Sequence, residues 1–251
     1  MHGVLNTAAS LVVLGNAHVT QLRPGKVVEF AAAHRPPGAE YVFRLGDDLG
    51  RGLPAWGQLL DRERVRTCWL EVRPPRHHTD VALPNSFALT IWCAVARGGL
   101  SFSVRYHRAE DDPQVPWVAL IDGARQHQLA RRPLVDLDEA RTELSDALTA
   151  ADDLALYAGQ PHPWRRYFAW ARKTLRAGTE ASGLPALPGY SEEASRLYAA
   201  VVRGWVLGGA NSWSQAGPLN EPDFTAVTAR LLRAYLKALT AAVNSAADRL
   251  G

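Results

Sequence analysis

The sequence lacks the features that define several broad classes of protein. Its 251 residues include only two cysteines, Cys68 and Cys93, which are too few for a disulfide framework. No apolar run approaches the roughly 18–20 residues that cross a bilayer. The net charge is only +3 and 47% of the residues are hydrophobic, which excludes intrinsic disorder. The composition therefore predicts an ordinary soluble globular protein.

A secretion signal is not expected either. Residues 8–14 are mostly apolar, but no Lys or Arg precedes Arg23, whereas a signal peptide begins with a basic region. Two thiols without a disulfide framework are typical of a reducing compartment. The expected location is therefore the cytoplasm.

Lysine is scarce, since only three of the 28 basic residues are lysines and the other 25 are arginines. Arginine is planar, permanently charged and suited to carboxylate and phosphate recognition. A GC-rich genome produces the same bias without any function, and this interpretation is favoured. The small net charge supplies no strong global field, so an anion-binding site requires a local patch.

The residues up to about 133 show the alternating pattern of β-strands. The clearest feature is a hairpin, in which residues 87–96 and 100–107 flank Arg97-Gly98-Gly99. Weaker strand candidates are separated by turn clusters; they are residues 27–30, 40–45, 65–72 and 115–121.

From Asp136 onward the hydrophobic period changes to that of helices. Asp136 is a predicted N-cap, and further helices are predicted after Pro163, from Ser191 to about Gly208, and from about Pro222 to Asp248. The sequence thus predicts an α+β fold, with a mostly antiparallel β half over residues 1–135 and a bundle of about four helices over residues 136–251. The last helix is apolar around about half its circumference, which indicates a central helix or a face shared with a second copy.

The sequence carries no complete catalytic, metal or nucleotide motif, so no catalytic residue, metal ligand or cofactor is predicted. The densest group of histidines, His77-His78-Thr79-Asp80, is interpreted as a solvated loop, because neighbouring side chains on an extended segment point to opposite faces. An enzyme of unrecognised type remains an alternative, with acids and bases such as His107, Glu71 or Asp122 brought together by folding.

The predicted helix after Pro163 interleaves aromatic and basic residues. At 100° per residue, Trp164, Tyr167, Phe168, Ala171 and Leu175 share an inward face, and Trp170 lies at its border. The opposite face carries the candidate residues for binding an anion or a nucleic acid, which are Arg165, Arg166, Arg172, Lys173 and Arg176. A solvated charged face is the simpler interpretation of the same pattern.

Residues 205–213 form the most unusual segment, in which two tryptophans bracket a glycine pair. Glycine permits close backbone approach, and tryptophan anchors contacts at low entropic cost. The alternative is a helix end whose tryptophan folds back onto the core. The candidate partner-binding residues are Trp205, Gly208, Gly209, Asn211, Ser212 and Trp213, together with Trp170.

The W-x-x-G-G-x-x-S-W pattern of this segment resembles a stretch of small bacterial immunity proteins of polymorphic toxin systems. Trp205, Gly208, Gly209, Ser212 and Trp213 carry the resemblance, which does not extend into the strand-rich half. The resemblance implies a protein that docks sterically on a protein partner and blocks it.

Three function classes follow from these patterns. The first is a non-enzymatic protein-binding module of immunity or adaptor type, the second a nucleic-acid-binding protein that uses the arginine-rich helix face, and the third an enzyme of unrecognised type. A protein partner is expected, nucleic acid is an alternative partner, a membrane is not expected, and the 222–248 helix is a candidate homo-oligomer contact.

Overall fold

A computed structural model describes residues 3–22, 24–34, 39–73, 88–108, 117–134, 136–157, 163–207, 213 and 222–246. The contacts divide the chain into two compact units. The sheet unit consists chiefly of Gly3–Glu71 and Leu89–Pro133, and the helical unit chiefly of Leu134–Ser245. Strands and helices are both present, so the predicted α+β class is confirmed.

The sheet unit contains a six-stranded sheet in the order β2-β1-β6-β5-β4-β3. The strands are β1 (Ala39–Leu45), β2 (Asp48–Arg51), β3 (Thr67–Arg73), β4 (Ala88–Ala94), β5 (Gly99–Arg108) and β6 (Trp117–Gln126). Strand β1 pairs antiparallel with β2 and parallel with β6, while β5 pairs antiparallel with both β4 and β6. The three predicted strands at 40–45, 65–72 and 115–121 correspond to β1, β3 and β6. Strand β2 was not predicted from the sequence.

The predicted hairpin is confirmed as β4 and β5, with Ala94 paired to Gly99 and Cys93 paired to Leu100. Gly98 adopts a φ of +80°, a conformation that glycine tolerates best. A Cβ at Gly98 would also collide with the backbone oxygen of Gln126. This glycine is therefore required both by the turn and by the neighbouring strand.

Three helices in the sheet unit correct the prediction of a mostly antiparallel β half. They are α1 (Gly3–Val19), α2 (Pro24–His34) and α3 (Gly52–Arg62). Helix α1 is buried at every position from Thr7 to Ala17. A helix that is buried on all sides lacks the one-sided apolar stripe by which a surface helix is recognised in a sequence. The strand predicted at 27–30 is wrong, because these residues lie in α2 despite their β-branched and aromatic side chains.

The helical unit contains α4 (Leu137–Tyr157), α5 (Pro163–Ala177), α6 (Glu192–Gly204) and α7 (Pro222–Asn244), together with a short 3-10 helix, Thr179–Ser182. Asp136 caps α4 as predicted, since its Oδ1 accepts a hydrogen bond from Glu139 N at 2.8 Å. Ser191 caps α6 in the same way through Ala194 N at 3.1 Å. The predicted bundle of about four helices is present in this part of the chain, and with α1–α3 the described helices number seven besides the 3-10 helix.

Helix α7 packs against both α4 and α6. Its buried residues include Leu231, Leu232, Ala234 and Leu236, which at 100° per residue span more than half of the helix circumference. This burial favours the interpretation of α7 as a central helix of its own unit. Within the described residues, none of the helices combines the length and the apolar character that a membrane span requires.

Candidate functional site

Helix α5 divides its side chains between the interior of the helical unit and its surface. Trp164, Phe168, Ala171 and Leu175 are buried, as expected from their spacing, whereas Tyr167 of the predicted inward face is half-buried. Thr174 is buried beside them, and its hydroxyl donates to the Trp170 carbonyl at 3.0 Å. The basic residues consequently lie at the sides and on the outside of the helix.

Two of the five predicted cationic residues are already paired within the fold. The carboxylate of Asp152 on α4 accepts from Arg165 Nε at 2.9 Å and from Arg172 Nη2 at 2.5 Å. Asp152 is 9% exposed, so its two oxygens depend on these guanidinium groups for hydrogen bonds. Arg165 and Arg172 therefore hold α5 against α4, and their role in anion binding stays a prediction.

The remaining cations define the α5 outer face, which consists of Arg166, Ala169, Trp170, Lys173 and Arg176. All five residues are exposed. Arg166, Lys173 and Arg176 form no ion pair with any residue in the described part of the chain. Their charges are therefore available to an acidic ligand.

Trp170 is the one exposed aromatic residue among the described side chains of the helical unit, with 39% of its surface accessible. The guanidinium of Arg203, on α6, lies 5.3 Å from the centre of its ring. Arg203 Nε also donates to the Ser182 carbonyl at 2.7 Å. One side of the indole is thus held by a fixed cation, so the ring is preorganised for a contact on its other side.

The Trp213 ring lies inside the helical unit, which corrects the expectation that it meets a partner. Trp213 is 2% exposed, and its indole Nε1 donates to Thr228 Oγ1 at 2.8 Å. The ring contacts Trp164, Phe168 and Phe224, with centroid distances of 5.8, 5.4 and 5.2 Å. Trp213 is therefore a core residue, as in the alternative interpretation of its segment.

Trp205 is half-buried, and its ring centre lies 5.2 Å from that of Tyr235. The Trp213 amide donates to the Val206 carbonyl at 2.9 Å. The predicted partner-binding residues Gly208, Gly209, Asn211 and Ser212 lie outside the described residues. Their role stays a prediction.

The acids and bases proposed for an enzyme are not assembled into one site. Asp122 is paired with Arg44 at 2.7 Å, while Glu71 accepts from the Trp92 indole at 2.8 Å. His107 is exposed on β5. Asp122 pairs with Ser103 of the same strand, which lies four residues, or about 13 Å, from His107. Folding therefore does not bring these three residues together.

The histidine group at residues 77–80 lies outside the described residues. Within the described residues, no group of three His, Cys, Asp or Glu side chains is placed to hold a metal ion. Cys68 and Cys93 are buried with 3.5 Å between their sulfurs, and burial raises the pKa of the Cys93 thiol well above its usual value.

Two residues that determine which side chains of the α5 outer face are available for contacts were missed in the sequence analysis. Asp152 removes Arg165 and Arg172 from the free cations, and Arg203 supports Trp170. Both belong to neighbouring helices, and their side-chain partners lie 13 or more residues away in the sequence. No local pattern reports such pairings.

No protein-family model, curated protein or solved structure matches the chain. The fold and the site define an α+β protein of two compact units whose helical unit presents a basic, tryptophan-bearing helix face. Its function is inferred from its own residues and contacts.

Proposed function

We propose that the protein is a non-enzymatic protein-binding module that docks on an acidic surface of a protein partner through the α5 outer face. The observation that carries this proposal is the exposed Trp170, held by Arg203 and flanked by three cations without ion pairs in the described chain. Docking would act sterically, by covering the surface of the partner.

The composition of this face supports a protein partner. Tryptophan and arginine are enriched among the residues that dominate protein interfaces, because they bury large areas and make several directed contacts. The flanking cations Arg166, Lys173 and Arg176 would speed association with an acidic surface and exclude basic ones.

The proposal is tested by charge reversal with a matched control. The variant Arg166→Glu/Lys173→Glu changes the α5 outer face, and Arg230→Glu/Arg233→Glu makes the same change in net charge on exposed positions of α7. Tagged full-length forms are used to capture partners from a lysate of the source cell, with and without nuclease. Captured proteins are quantified by mass spectrometry.

We expect the α5 variant to lose a partner that the wild-type chain and the α7 variant both retain after nuclease treatment. Both variants should keep their stability within about 0.5 kcal/mol, because the changed positions are exposed. Equal capture by all three forms would contradict the proposal. Loss of the α5 variant's stability would be detected separately by thermal unfolding.

Nucleic acid is the second candidate, favoured by the same three unpaired cations beside an exposed ring. It requires binding that weakens steeply with salt, because neutralised phosphates release counterions. A single-stranded oligonucleotide titrated at two salt concentrations measures this dependence. Capture that disappears with nuclease, together with salt-dependent oligonucleotide binding, would replace the protein partner by a nucleic acid.

A further inference from the structure

The sheet unit contains a cavity of about 660 Å³ between α1, α2 and α3. The cavity is open to solvent on the side of Val28 and Asp61, which are 65% and 72% exposed, and its volume lies within the range of small-molecule pockets, about 300–1,000 Å³. Helix α1 contributes Leu14 and His18, and the wall from α3 includes Trp56 and Gln58. The cavity belongs to this unit alone and has no part in the α5 outer face.

Two glycines permit the close packing of α1 and α3 beside the cavity. A Cβ at Gly57 on α3 would lie 2.9 Å from the His18 ring, and a Cβ at Gly15 on α1 would lie 2.9 Å from Cys68 Sγ and 3.2 Å from Trp56 Nε1. The indole of Trp56 also donates to the Leu11 carbonyl at 3.0 Å. These close contacts make the α1–α3 side of the cavity a rigid wall.

The opposite wall is the apolar face of α2, which is formed by Val27, Val28, Ala31 and Ala32. Phe30 is fully buried on the other side of this helix, so α2 is anchored by one face while it presents another to the cavity. Val28 is 65% exposed. Covering a valine side chain is favourable, because it removes apolar surface from water. An apolar molecule in the cavity would cover these side chains.

A polar pair lies at the edge of this apolar space. His18 Nε2 and Asp61 Oδ1 are 2.8 Å apart, and both residues line the cavity. Asp61 Oδ2 has no hydrogen bond or ion pair with the described residues. Among the described residues that line the cavity, Asp61 is the one carboxylate and there is no Lys or Arg. The second oxygen of the Asp61 carboxylate therefore suits a positively charged ligand group that donates a hydrogen bond.

We propose that this cavity binds a small molecule with an apolar body and a primary amine, with the body between α2 and α3 and the ammonium group on the free oxygen of Asp61. The apolar body supplies most of the affinity, because Asp61 is exposed and its charge is screened by water. The ammonium group supplies orientation and selectivity over an acid of the same shape.

The full-length protein is first titrated with N-phenyl-1-naphthylamine, an apolar dye that fluoresces when it leaves water. Ala32→Trp fills the cavity from an exposed position of α2, and Ala226→Trp places the same ring on an exposed position of α7 as a control. We expect saturable dye binding by the wild-type chain and the Ala226→Trp variant, and at least about tenfold weaker binding by Ala32→Trp. No saturable binding by the wild-type chain, or equal binding by both variants, would overturn the proposal.

The head group is tested by displacing the dye with dodecylamine, 1-dodecanol or dodecanoate, each below the concentration at which it aggregates. We expect dodecylamine to displace the dye at a lower concentration than dodecanoate, and Asp61→Asn to remove this preference while dye binding persists. Equal displacement by amine and acid, or a preference that survives Asp61→Asn, would overturn the assignment of Asp61. Thermal unfolding of each variant shows whether the fold is retained.

Discussion

Each of the two units contains a buried tryptophan, but the indole nitrogens of these two residues donate to different kinds of acceptor. Trp213 of the helical unit bonds the side chain of Thr228, and three aromatic rings from α5 and α7 surround it. Trp56 of the sheet unit bonds the backbone of α1 at Leu11. The indole of Trp213 thus bonds a side chain, whereas the indole of Trp56 bonds the backbone.

Asn16 is a second side chain of the sheet unit that bonds the backbone of another element. Its Nδ2 donates to the Cys68 carbonyl at 3.0 Å, and its Oδ1 accepts from the Cys68 amide at 2.8 Å. Strand β3, which contains Cys68, is an edge strand of the sheet. The Asn16 amide therefore supplies the two hydrogen bonds that a further strand would supply, and α1 covers this edge. A side chain that replaces backbone pairing has few substitutes, so this contact is sensitive to mutation.

The largest expected effect is that of Trp213→Ala. Removal of a buried tryptophan side chain costs roughly 3–5 kcal/mol, and Thr228 Oγ1 would lose its donor. Equilibrium urea unfolding measures the loss, and amide hydrogen exchange locates it, with α5 and α7 losing protection. Trp213→Phe, which keeps a ring, should lose less. Stability unchanged within about 0.5 kcal/mol for Trp213→Ala would show that the ring is not part of the core.

Asn16→Leu is expected to have the next largest effect. It leaves the amide and the carbonyl of Cys68 without their partner in a buried site, at roughly 1–3 kcal/mol for each group. Asn6→Leu is the matched control on the same helix, because Asn6 donates one bond, to the His34 carbonyl at 2.7 Å. Urea unfolding should show the larger loss for Asn16→Leu; equal losses would contradict the edge-covering role of Asn16.

The smallest effect is expected at the Arg44–Asp122 pair, which joins β1 to β6. The hydrogen bond from Arg44 lowers the pKa of the Asp122 carboxyl, and the positive charges of Arg44 and Arg105 add to this effect against the opposing effect of burial. A lowered pKa stabilises the fold above the unfolded value of about 3.9, and this stabilisation is lost as the pH falls through the lower folded value.

Because the pair is partly exposed, Asp122→Asn should lower the free energy of unfolding by only about 0.2–1 kcal/mol at pH 7. The difference from the wild-type chain should shrink as the pH falls below about 3.9. Urea unfolding of both proteins at several pH values measures this. A difference that is independent of pH would show that the carboxylate charge is not its source.

The helices of the helical unit could be predicted because each carries its own signals. The Asp136 and Ser191 caps and the apolar stripe of α5 are local in sequence, and the structure confirms them. Helices α1 and α2 carry no comparable signal. Helix α1 is buried on nearly all sides, and the residues of α2 favour strands by intrinsic propensity, so tertiary packing decides the conformation of both segments.

The candidate sites were less predictable than the helices, since they depend on side chains from different elements. The exposed position of Trp170 follows from helical geometry, but the cation that supports it comes from Arg203. The pairing of His18 with Asp61 joins α1 to α3, a helix that the sequence pattern did not reveal. A cavity between three helices leaves no pattern in the sequence, because the residues that line it come together only when all three helices are packed.

The central claim is that a protein partner contacts the α5 outer face. Hydrogen–deuterium exchange of the full-length chain, with and without the captured partner, tests it most directly. The structure leads us to expect new protection in peptides from residues 163–177, with the sheet unit and α7 unchanged. New protection confined to α7, the sheet unit or residues 205–213, with none in residues 163–177, would contradict the claim.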